Sequence, residues 1–354
     1  MTTKNLQYKH TEAHLVATAK YVVQRRRDIA PILAQLGQEL PQDVIAGMPF
    51  AIFQFVSSVT DGYDAEIGFP VHREVTTLTL RSRILPAMEV LALAHQDAVE
   101  KLRETYGKLF TYAAEHSLIS DEFGLEVYTD ATNPGGPGTE VRYIIHDWND
   151  KLAHGLERVL GQSARDMVMQ GGEMLSIASR AEVRFLWVKA MMERLDGLAN
   201  DHQKYDILSS CAHVFPANQI AKLKAVFEEA RAETNDGIQA VDAVLDFMES
   251  DPGWSEARPT REGHTIYAAK KPRDEQAYAE ARTDLERRRA YCFCPLVRDF
   301  MDQGMPLSFC YCGSGWYRQQ WEDAIGKPVT IEIITSVLRG DAVCRFAIHL
   351  PENL

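Results

Sequence analysis

Six cysteines and one acidic–phenolic pair carry most of the chemistry this sequence could perform. Cys292-Phe-Cys294 is followed by Cys310-Tyr-Cys312, with Cys344 further on and Cys211 in the middle of the chain. On an extended segment residues i and i+2 share a face, so each Cys-x-Cys pair can turn two sulfurs toward one point. Two such pairs would supply the four thiolates of a tetrahedral site. Zinc is the default occupant, because it accepts four thiolates without redox chemistry; iron or an iron–sulfur centre is the alternative. Cys344 and Cys211 are then either extra ligands or core residues. The spacing is not the Cys-x2-Cys of common zinc ribbons. Two other readings stay open: buried free cysteines, among the most buried residue types, and a redox or catalytic thiol. Cys211-Ala-His213 could pair a thiol with an imidazole, although His213 reads more simply as a helix-end histidine.

The second candidate lies in Gly124-Leu-Glu-Val-Tyr128. On a strand Glu126 and Tyr128 fall on one face, Leu125 and Val127 on the other. A half-buried carboxylate there could pair with a cationic ligand, or raise its own pKa and act as a general acid or base. The plainer reading is a surface glutamate beside a structural tyrosine. Phe53, Phe55 and Trp148 could wall a ligand site or simply pack a core. His146 reads as a strand-end histidine. Gly313-Ser-Gly-Trp316 lacks the Lys-Ser/Thr that completes a phosphate loop and reads as a turn leading into a helix.

The elements that must position these residues show a repeated pattern. A strand-like stretch over Lys9–Val22 is followed by a helix near Asp28–Leu40. Two strands come next, Met48–Val56 and Ala65–Val71. The order then recurs: a strand over Thr76–Arg83 that extends after Pro86, a long helix over Asp97–His116, and strands at Gly124–Thr129 and Glu140–His146. Asn133-Pro-Gly-Gly-Pro-Gly138 is a strong breaker between the last two. The sequence order β-α-β-β, twice, predicts two similar halves about a pseudo-twofold axis. Helix dominates from Asp147 to about Asp251, with Ile177, Val183, Leu186, Met191 and Leu195 at helical spacing. His264–Ala269 reads as a strand and Asp274–Ala290 as a polar helix. The chain ends in a hairpin, Val329–Ile334 and Val343–His349, around Arg339-Gly-Asp341. The expected fold is therefore α+β: a duplicated β-α-β-β ligand-binding domain over 1–148, then a helical, Cys-rich α+β domain over 149–354.

Bulk properties narrow the function classes. A chain of 354 residues is long enough for two cores. Its net charge of −12 argues against binding nucleic acid or an anionic membrane, since both need a positive face. The runs Arg25-Arg26-Arg27 and Arg287-Arg288-Arg289 read as solvated helix faces, because no aromatics are interleaved with them. No apolar stretch approaches the roughly 18 residues of a membrane span. Met1–His10 is polar and has no signal-peptide core. A reducing cytoplasm is the expected location, and there cysteines favour metals or free thiols over disulfides.

The first part of the chain also resembles a known family. Phe50-Ala-Ile-Phe53, Ala65-Glu-Ile-Gly-Phe-Pro-Val71 and Gly124-Leu-Glu-Val-Tyr128 are similar, in order and spacing, to the gyrase-inhibitor-like (GyrI-like) effector-binding domain over roughly residues 5–148. The resemblance implies two β-α-β-β halves forming a groove for small organic molecules, with the carboxylate of Glu126 pointing into it. Some members of that family hydrolyse their ligands. The closing strand departs from the pattern, since Glu140–His146 lacks the ending seen at Phe69-Pro-Val71. Gly340-Asp-Ala-Val-Cys344-Arg-Phe346 is similar to the end of the aminothiazoline-carboxylate hydrolase and vinyl-reductase-like sensor families, over perhaps the last 60 residues. Taken together, these features point to a binder of a small organic molecule with a metal- or thiol-bearing second module. A hydrolase acting on a xenobiotic or heterocycle is the rival. The small molecule is the expected partner, nucleic acid and membrane are not, and self-association into a homo-oligomer is left open.

Overall fold

Val16, Ala17 and Thr18 are buried one after another, so the strand that carries them is covered on both faces. This strand is β2 (His14–Val23), near one edge of an eight-stranded sheet in a computed structural model of the chain. The structure describes residues 6–54, 62–116, 118, 120–145, 148–175, 179–215, 217–251 and 258–354. Two units divide the chain, Met1–Asp147 and Trp148–Leu354.

The first unit contains β1 (Gln7–Thr11), β2, α1 (Ile29–Glu39), β3 (Phe50–Gln54) and β4 (Tyr63–Pro70). The same order follows in β5 (Arg81–Leu85), β6 (Met88–His95), α2 (Leu102–Glu115), β7 (Ser120–Tyr128) and β8 (Thr139–Ile145). Sheet order is β1-β6-β8-β7-β3-β4-β2-β5, and every ladder is antiparallel. The repeat is therefore β-β-α-β-β. Lys9–Val22, expected as one strand, is two strands that do not pair with each other. Each half's opening strand instead completes the edge of the other half: β1 runs along β6 and β5 along β2. Thr11↔Met88 in one ladder is matched by His14↔Leu85 in the other, so equivalent residues stand 74 apart (11 to 85, 14 to 88). Along β3 and β7 the offset becomes 75, which makes Glu126 the counterpart of Ala51 (51 to 126) and Tyr128 that of Phe53 (53 to 128). Ala51 and Glu126 are also direct cross-strand partners, so the pseudo-twofold axis passes between them.

Ala51, Phe53, Ala65 and Ile67 form one face of the central strands and pack with Leu33 and Leu36 of α1. Phe50, Ile52, Leu125 and Val127 lie on the opposite face with Val16, Val90 and Ile144. Gly68 allows β4 to approach β2 closely: a Cβ there would fall 2.0 Å from the Ala17 carbonyl oxygen.

The second unit opens with α3 (Trp148–Leu160), α4 (Gln162–Met169), α5 (Ala181–Asp196), α6 (Asp201–Ser209), α7 (Ala217–Thr234) and α8 (Gly237–Ser250). Then come β9 (Thr260–Glu262), β10 (Thr265–Ala269), α9 (Glu275–Glu280), α10 (Asp284–Tyr291), α11 (Tyr311–Ile325), β11 (Thr330–Thr335) and β12 (Arg345–His349). The polar helix expected over Asp274–Ala290 is two short helices, because Thr283 caps a fresh start by accepting from the Glu286 N–H. The terminal hairpin forms as expected and extends into an antiparallel sheet ordered β11-β12-β10-β9. Val241, Val244 and Trp321 join Ile266, Ile331 and Ile348 in its core. Gly313-Ser-Gly-Trp316 lies inside α11, where Gly315 crosses α6: a Cβ would stand 1.9 Å from the Ser209 carbonyl oxygen. Among the described residues, no helix is long and apolar enough to cross a membrane.

Because the sheet and helices of the first unit close their own core, a fragment ending at Asp147 should fold alone. Circular dichroism and a dispersed amide NMR spectrum check this; an unfolded fragment would contradict the division into two units.

Candidate functional site

Strand alternation puts Glu126 and Tyr128 on the face of the sheet that bears the helices, and both are fully buried. Ala51, the small residue opposite Glu126, is fully buried on the same face. Tyr106 reaches the same point from α2, and Arg26 from the single 3-10 turn Arg26–Asp28 that leads into α1. The Asp28 carboxylate accepts from the Arg25 N–H at 2.9 Å and fixes that turn. Gly135, in the Pro/Gly-rich loop before β8, lies against the Arg26 stem.

Glu126 Oε1 accepts from Arg26 Nε at 2.9 Å and from the Tyr106 hydroxyl at 2.8 Å. Oε2 accepts from the Tyr128 hydroxyl at 3.0 Å. The Arg26 guanidinium lies 3.6 Å from the Phe53 ring centre and 4.7 Å from that of Tyr63. Burial works against the Arg26 charge, but the Glu126 carboxylate outweighs it, so the pKa rises. Burial and then the Glu126 charge push both phenols well above their ordinary range. Tyr106 and Tyr128 therefore stay protonated and donate. Among the described residues, Arg26 Nη1 is buried without an acceptor.

Alternation in the sequence puts Glu126 and Tyr128 on one face, as found; Phe53, expected as a ligand wall or a core residue, lies under the Arg26 guanidinium beside them. Sequence reading missed Arg26 and Tyr106. The Arg25–Arg27 run is not a solvated face throughout: Arg25 and Arg27 are exposed, while the Arg26 side chain is only 11% exposed. The second run is likewise tied down, with Arg288 donating to the Val337 carbonyl and Arg289 to that of Asp299. Phe55 and His146 lie outside the described residues. Trp148 begins the second unit and packs against Phe309, with ring centres 5.6 Å apart. On the opposite face of the first sheet, Phe50, Leu85, Met88, Leu125, Val127 and Arg142 are among the residues that line a cavity of about 240 Å3.

The cysteines gather in the second unit, all as free thiols. Cys292 follows α10 and has extended backbone. Cys310, however, ends the 3-10 turn Leu307–Cys310, and Cys312 lies in the first turn of α11. The shared-face expectation fails for this pair, because residues two apart on a helix point in different directions. Cys310 Sγ is 3.4 Å from Ser336 Oγ, and Cys344 Sγ accepts from the Val337 N–H at 3.5 Å. Burial raises the pKa of every one of these thiols, and that of Cys292 reaches about 11. Cys294 also feels Cys292, Cys310 and Cys312, and Cys310 feels Cys344, so the thiols share one region. The Lys270 ammonium sits above Phe293, 5.5 Å from the ring centre, and acts against the rise at Cys292, Cys312 and Cys344. Among the described residues, no group of three or more His, Cys, Asp or Glu is set to hold a metal ion.

No family model matches the chain, and no curated protein matches it. Solved structures similar to it include the EcmrR C-terminal domain, at 15% identity over 41% of this chain and 98% of that one, with a TM-score of 0.37. SAV2435 bound to tetraphenylphosphonium is similar at 13% identity over 41% of this chain and 96% of that one, with a TM-score of 0.30. A hydrolase encoded by lin2189 from Listeria innocua is similar at 7% identity over 40% of this chain and 92% of that one, also with a TM-score of 0.30.

Removing one member of a buried ion pair strands the other charge, at a cost of about 3–5 kcal/mol. Arg26→Met and Glu126→Gln should each destabilise the protein by about that amount. The double variant should lose less than the sum, leaving a coupling of at least about 1 kcal/mol. Urea unfolding of all four forms checks this, and additive losses would contradict the pairing.

Proposed function

We propose that the first unit binds a small organic molecule at the Glu126 network, and that the thiol-rich region of the second unit is a metal- or thiol-bearing partner module. The observation that carries the reading is the fully buried carboxylate held by two tyrosine hydroxyls beside two aromatic rings. Burying a charge is costly, and functional sites are where strongly perturbed groups gather. The family resemblance of the sequence supports the same reading. Hydrolysis is the second reading. It would need Glu126 to exchange a proton with substrate, and three hydrogen bonds already occupy this carboxylate, which favours binding over catalysis.

For the thiol-rich region we propose zinc as the ion such a donor set would take, with iron as its rival. The donors, as they stand, would have to converge to hold it.

Calorimetric titration with a panel of neutral and charged aromatic compounds tests the first proposal. At least one should bind saturably, and Glu126→Gln should weaken it tenfold or more, about 1.4 kcal/mol. Binding that ignores Glu126→Gln but is lost in Leu125→Trp would move the ligand to the opposite face.

Elemental analysis of protein purified without added metal tests the second. Zinc near one equivalent per chain is expected. A metal-free native protein would leave the cysteines as buried thiols, and alkylation of Cys292 would then rise about tenfold per pH unit toward pH 11, as its thiolate forms.

A further inference from the structure

Arg26 stands where an incoming cation would have to stand. A carboxylate flanked by aromatic faces is the arrangement that attracts an organic cation. Here the chain's own guanidinium has taken it, donating to Glu126 Oε1 at 2.9 Å and lying 3.6 Å from the Phe53 ring centre. The remaining Glu126 contacts come from Tyr106 and Tyr128, so the carboxylate has no unmet demand. The guanidinium does have one. It carries five N–H donors, and Nη1 is buried with no acceptor among the described residues. Arg26 and Glu126 together are neutral. A second cation would bring an uncompensated charge into this place, whereas a neutral ligand would not.

We propose that Arg26 is the specificity-determining residue of this site: it excludes organic cations by occupying their place on Glu126, and it selects neutral molecules that offer Nη1 an oxygen acceptor. The proposal rests on the reading that a small molecule binds at the Glu126 network. It adds the class of molecule and the residue that sets it.

Two probes of similar shape separate the alternatives: tetraphenylphosphonium, a cation, and triphenylphosphine oxide, neutral with one strong oxygen acceptor. Each is titrated into the 354-residue chain, into Arg26→Gln and into Arg26→Gln/Glu126→Gln by calorimetry. The native protein should prefer the oxide. Arg26→Gln should bind the cation at least tenfold more tightly than the native protein does, and Glu126→Gln in that background should remove the gain. Native protein that binds the cation as tightly as Arg26→Gln does, in a Glu126-dependent way, would overturn the role of Arg26 while leaving the small-molecule reading intact. Binding of neither probe to any folded form would overturn the proposal, and the wider panel would then decide the reading beneath it. Should Arg26→Gln fail to fold, Arg26→Lys keeps the charge and loses the Nη1 donor. It should still reject the cation and bind the oxide at least tenfold more weakly; unchanged oxide binding would overturn the selection.

Discussion

The buried pair of Arg26 and Glu126 is the constraint on which the first unit turns. It joins the two halves of the repeat, since Arg26 precedes α1 of the first half and Glu126 lies on β7 of the second. A charge in this position must be neutralised by a partner of good geometry, because the alternative is several kcal/mol of unpaid desolvation. That requirement places the turn before α1, the aromatic rings of β3 and β4, and the tyrosine of α2 around one point. It also breaks the symmetry. Glu126 and its counterpart Ala51 face each other across the pseudo-twofold axis. A duplicated scaffold thus yields one charged centre rather than two, with Phe53 and Tyr128 as the symmetry-related residues beside it.

The second unit solves a different problem by burial. Cys211 is buried and the other five cysteines are partly buried, and desolvation raises the pKa of every one of them. Thiols protonated in this way are poor nucleophiles at neutral pH. Reactivity would require either a metal ion to deprotonate them or a closer approach by a cation such as Lys270. The chemistry of this region therefore depends on what enters it.

Much of this was legible in the sequence because it follows from short-range periodicity. Alternation in Gly124-Leu-Glu-Val-Tyr128 is enough to put Glu126 and Tyr128 on one face, and the recurring helix–strand–strand order announced two halves. What stayed hidden depends on distant partners. Nothing local distinguishes Arg26 from Arg25 and Arg27; only the turn before α1 sends the middle side chain inward. Tyr106 sits within α2, where helical spacing marks it as buried but not as a donor to a carboxylate 20 residues on. The exchange of β1 and β5 between halves is a matter of long-range pairing, which alternation cannot report. The shared face expected of each Cys-x-Cys pair assumes extended backbone, yet α11 begins between Cys310 and Cys312.

The most direct test of the central pair is the Nε–H signal of Arg26 in a nitrogen–proton NMR spectrum. A donor buried against Glu126 should give a resolved signal that exchanges slowly with water, while Arg25 and Arg27, both exposed, should exchange fast. Glu126→Gln should shift or broaden the Arg26 signal and leave the other two unchanged. An Arg26 Nε–H that exchanges as fast as its neighbours would show that the guanidinium lies in water, and the account of the site would fall with it.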